Sequence, residues 1–213
     1  MAAKSWYHGN MTRTLLTVGL LIALFGIGVP WFKRYDFLDP VMLAAYFCLP
    51  PVLVAPVAAN AFADSAESTS ATVIGALRVT LFGWGVGMAI VAAGLITVNA
   101  MSWHGHVLMP AASFLASWAF FSASAALASV VATGLLAHLS SARVATTVLR
   151  LLFFAILIAL VLLVRGASPE LSAALWSHTT SAELASIALY TGLALAATGS
   201  VALAVFARLR RIG

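Results

Sequence analysis

The sequence predicts an all-α membrane protein, a polytopic bundle of six transmembrane helices with the N- and C-termini both cytoplasmic. Three observations carry that expectation. Six apolar runs can be read along the 213 residues, most of them close to the about 20 residues that a helix needs to cross a hydrocarbon core of roughly 30 Å. Hydrophobic residues make up 63% of the chain and charged residues 8%, against about 25% charged in an ordinary soluble domain. Lysine and arginine, finally, gather on alternate links. With the N-terminus inside, Lys4, Arg13, Arg78, Arg143, Arg150, Arg208, Arg210 and Arg211 lie on the inner side and Lys33, Arg34 and Arg165 on the outer, eight against three. Backbone polar groups in lipid must be paired within their own segment, which favours helices. A β-barrel would show two-residue alternation instead of unbroken apolar runs.

The elements follow in order, as one transmembrane domain over residues 1–213. Residues 1–13 carry Trp6 and Tyr7 beside Lys4 and suit a short interfacial segment. The first span covers about 14–32, and with no small-residue cleavage site before Pro30 it reads as a retained span rather than a signal peptide. The second, about 41–63, contains Pro50, Pro51 and Pro56, which remove backbone donors, so it is expected to kink or unwind. The link 64–80 begins with Asp64 and Glu67 and places Val73, Ile74 and Leu77 on one helical face, as in a short cytoplasmic amphipathic helix lying along the membrane. The third and fourth spans are about 81–100 and 111–139, joined by a tight turn, and the fifth is about 148–164. The outer link 165–186, with Leu171, Leu175 and Trp176, is either a pair of short helices folding back at the surface or a plain loop. The sixth span covers about 187–207.

The chemistry is notable for what the spans lack. Between Asp64 and Glu170 the one acidic residue is Glu67, and no ionisable side chain falls at mid-span. Ion-coupled carriers normally mark their pathways with such groups, so energy for any transport is expected to come from a partner. His104 and His106 stand two apart beside Trp103 with no acid or cysteine near, and read as polar turn residues rather than a metal site. His8 and His138 belong to the inner side and His178 to the outer, which argues against a bis-histidine haem. There is no catalytic motif and no Walker loop, so the chain is not expected to be an enzyme or to hold a cofactor. The single cysteine, Cys48, cannot form an intrachain disulfide. The net charge of +5 flanks spans and faces headgroups, so it does not point to nucleic acid. Gly83 and Gly87 form a small-residue step, and Ser113, Ser117, Ala125, Ser129 and Thr133 form a four-residue ladder interrupted by Phe121. Such residues let helices approach closely, for packing within the chain or for a dimer face or substrate slot.

Between the second and third spans runs Phe62-Ala63-Asp64-Ser65-Ala66-Glu67-Ser68-Thr69, followed by Val73, Ile74 and Leu77. This motif, with the six-span layout, resembles the permease subunits of ABC-2 type transporters. It is similar to the family's Phe-Ala-x-Glu-x-Glu-x-Gly-Thr run, without its glycine. The segment from Ser122 to Thr147 also resembles the family's small-residue fourth span and the link after it. The haem-exporter permease of cytochrome c maturation has a similar length and layout. The resemblance implies a bacterial inner-membrane subunit that moves a hydrophobic or amphiphilic substrate with energy from a separate ABC ATPase. It implies a second permease copy or a related permease as partner. It also implies that Asp64, Glu67, Thr69 and Arg78 contact the ATPase. The alternative reading is a non-catalytic membrane subunit that anchors or stabilises a larger complex.

Overall fold

The computed structural model of the chain describes residues 16–32, 40–63, 69–101, 109–139, 144, 147, 148, 151 and 178–212. Among them the regular structure is helical and no strand occurs. The helices are α1 (Leu16–Phe32), α2 (Pro40–Phe47), α3 (Leu49–Ala63), α4 (Thr69–Ala100), α5 (Ala112–Leu139) and α6 (His178–Ile212). Three stretches, Ser70–Ala100, Ala112–Leu139 and Ala182–Leu209, are long and apolar enough to cross a membrane. Nearly all of the expected fifth span lies outside the described residues, as do residues 64–68 and the turn holding His104 and His106.

The second apolar run is interrupted, as its prolines predict. α2 ends at Phe47 and α3 resumes at Leu49, with a turn at Cys48. Pro50 and Pro51 offer no N–H to the carbonyls one turn back, and their rings crowd those carbonyls. The helix therefore breaks just ahead of them and continues through Pro56.

Two elements differ from expectation. Residues 69–80 do not form a separate surface helix: they run without a break into the third span, making α4 a single helix of 32 residues, about 48 Å long. No proline stands between Thr69 and Leu81 to stop it. The apolar face Val73, Ile74 and Leu77 lies mostly outside the packed interior. The buried residues are Thr72, Ala76, Val79, Thr80 and Gly83, while Ile74 and Leu77 are 48% and 44% exposed and Val73 packs partly against the core. Small and hydroxyl-bearing residues let backbones approach, and a face turned to lipid has no reason to be polar, so hydrophobicity does not mark the inner side. The second difference is that α6 starts at His178, so residues 178–186 of the expected outer link are helical. Ala182, Glu183, Leu184 and Ala185 are all good helix formers.

The chain divides into two compact units, Met1–Tyr46 with Val86–Met109 and Phe47–Gly85 with Pro110–Gly213. In the first, α1 carries a π-helical stretch, Ile22–Gly28, and Gly26 within it is buried against α4. A Cβ added there would meet the Ala93 Cβ at 2.8 Å and the Ile90 carbonyl oxygen at 3.1 Å, so only glycine permits this approach. The Thr97 hydroxyl donates to the Ala93 carbonyl at 2.8 Å and, more weakly, to the Gly26 carbonyl at 3.3 Å, tying the two helices together. In the second unit, α5 packs along both α3 and α6. Its core joins Val54 and Ala58 of α3, Ala76 and Val79 of α4, Ala126, Val130 and Val131 of α5, and Leu203 and Phe206 of α6.

Candidate functional site

Five serine and threonine residues stand out among the buried side chains of the described chain: Thr72, Thr80, Ser122, Ser124 and Thr133. No Asp, Glu, Lys, Arg or His is among them. In lipid or protein interior each hydroxyl needs a partner, and on a helix the cheapest is the carbonyl four residues back. Thr80 donates to Ala76 at 2.8 Å, Ser124 to Phe120 at 2.9 Å and Thr133 to Ser129 at 2.7 Å. Ser122 does not follow suit: its Oγ is buried with no hydrogen-bond partner. One turn away, the Trp118 indole N–H is in the same condition, although the residue is only 7% exposed.

These two groups sit in an aromatic cluster within the second unit. Trp118 lies edge-on to Phe121 at 5.2 Å between ring centroids, and at 6.1 and 6.4 Å from Phe114 and Phe47. Such separations are those of favourable ring pairs. A second indole, on α4, shows the ordinary solution: Trp84 Nε1 donates to the Ala119 carbonyl at 3.0 Å. An unpaired buried polar group costs about 1–3 kcal/mol, so two of them a single turn apart form an expensive feature with no structural return of their own.

The residues singled out from the sequence are placed as follows. Asp64 and Glu67 lie outside the described residues, and Thr69 is the first residue of α4. Arg78 is exposed on α4. Gly83 and Gly87 are both buried, and Gly83 lies so close to the Val54 side chain that no Cβ would fit. The small-residue ladder of α5 is not uniformly buried: Ser113 is exposed, Ser117 and Ser129 are half-buried and Thr133 is buried. The fully inward row is one residue on, through Phe114, Trp118, Ser122, Ala126, Val130 and Gly134. The sequence contains this row as a Phe-Trp-Ser series at four-residue steps, but nothing in it marks Trp118 and Ser122 as unpaired. His138 is exposed at the end of α5, and His178 opens α6. Among the described residues no group of three His, Cys, Asp or Glu side chains comes together to hold a metal ion. No family model, curated protein or solved structure matches the chain.

Proposed function

We propose that the chain is the membrane-spanning subunit of an ABC-type transporter, moving a hydrophobic or amphiphilic substrate with energy from a separate ATPase subunit. In this reading six spans cross a bacterial inner membrane with both termini in the cytoplasm, and two copies, or one copy and a related permease, enclose the pathway. The observation that carries it is the uncharged interior. The buried polar groups named above are hydroxyls and one indole N–H, and such an interior suits an uncharged or amphiphilic cargo better than an ion. Residues 64–68 would receive the push of the ATPase, and α4 supports that role. Its first turns are continuous with the core formed by Val54, Val79 and Phe206, so displacement at one end reaches the packed interior directly.

That same continuity favours a second reading. A free-standing surface helix would be the simpler docking element for an ATPase, whereas a helix built into the core fits a non-catalytic subunit that anchors a larger complex. Purification of the intact complex in mild detergent separates the two. Co-purification of an ATP-hydrolysing subunit is the expected result. A complex without one would rule out the transporter reading and leave the anchoring one.

A further inference from the structure

We infer that Trp118 and Ser122 form a binding site for the carbonyl oxygen of an uncharged, lipid-soluble molecule. The two residues are one turn apart on α5, so their Cβ atoms are about 5–6 Å apart and both polar groups can reach one oxygen. Both are buried and both lack a partner. Neither condition is forced by the helix: Ser124 takes the backbone carbonyl that its position offers, and Trp84 finds one across the helix pair.

The chemistry of the pair narrows the ligand. An indole only donates, which excludes a cation or any group that can merely donate. An anion would be desolvated with no Lys, Arg or His among the described buried residues to balance it. A neutral carbonyl oxygen has two lone pairs and can accept from the Trp118 N–H and the Ser122 O–H together. Phe47, Phe114 and Phe121 around the Trp118 ring would take the apolar body attached to that carbonyl. Position along the helix agrees. α5 is about 42 Å long and overshoots a hydrocarbon core of about 30 Å, and Trp118 lies about 9 Å from its start. In an upright, centred helix that is just inside the hydrocarbon boundary, next to the level of the lipid ester carbonyls and within reach of a quinone ring. Binding needs no ATPase, so the site can stand or fall independently of the transporter reading.

The test uses the full chain with 15N-labelled indoles in dodecyl maltoside micelles, a detergent that has no carbonyl group. Trp118→Phe identifies the Trp118 N–H resonance by its loss. Methyl laurate and decylubiquinone are titrated separately, one for the ester source and the other for the quinone source. The expected result is a saturable downfield shift of that resonance with at least one of them, and the one that acts names the source. Ser122→Ala is expected to weaken that binding about five- to tenfold, the share of one hydrogen bond. If Trp118→Phe does not fold, selective 19F-tryptophan labelling with Ser122→Ala as the comparison reads the same contact. A resonance that moves with neither probe, that exchanges with water alone, or whose titration is unaltered in Ser122→Ala overturns the site.

Discussion

At Gly134 a Cβ would meet the ring of the buried Phe206 at 2.6 Å, whereas at Gly85 it would meet nothing within 4 Å. Gly134→Val is therefore expected to cost about 1–3 kcal/mol through overpacking, while Gly85→Ala leaves stability unchanged or slightly raised. Thermal unfolding of both variants in the same detergent reads the contrast, and equal behaviour would mean that Phe206 does not pack on Gly134. Residues of the orphan pair should behave in the opposite sense. Without ligand, Ser122→Ala removes an unpaired hydroxyl and is expected to raise stability by up to about 1 kcal/mol. Thr133→Val, which deletes a paired one, should lower it. A Ser122→Ala protein less stable than the parent would mean that the hydroxyl already has a protein partner.

For the elements, α4 makes the sharpest prediction. The sequence places a boundary near residue 80, and proline is tolerated in the first turn of a helix. In the structure Leu81 is an interior residue of α4 with an exposed side chain, so Leu81→Ala should be nearly neutral. Leu81→Pro should cost about 3 kcal/mol or more by removing a backbone bond. Tolerance of proline there, read by thermal unfolding, would restore the two-piece arrangement. The existence of the long helices was legible because the apolar runs are long and uninterrupted. The break at Cys48 was legible because proline acts through covalent geometry rather than context. Which side of a helix faces inward was not. The row Thr72, Ala76, Val79, Gly83 is no more hydrophobic than Ile74 and Leu77, and in an apolar solvent packing is decided by side-chain size and hydrogen bonding. The π-helical stretch Ile22–Gly28 had no signal beyond its glycines, since its geometry answers to Ala93 and Thr97 far along the chain.

On the scale of the whole molecule, the charge distribution predicts both termini on the cytoplasmic side. In a Cys48→Ser background, single cysteines placed at residue 3 and residue 213 should resist an impermeant thiol reagent in intact cells and react after lysis. A cysteine at residue 105 should react without lysis. The candidate site was half legible at this scale. The absence of charge from the spans was plain in the sequence, but the Trp118–Ser122 pair depends on which hydroxyls find partners, and that is a property of the fold alone. In the proposed transporter, energy reaches the bundle from a partner through residues 64–68, ahead of α4. The most direct test of that coupling is the ATP turnover of the purified complex carrying Glu67→Lys. The expected result is a complex that still assembles and hydrolyses ATP at least several-fold more slowly, because the charge at the proposed contact is reversed. Turnover equal to the parent's in a fully assembled complex would contradict it.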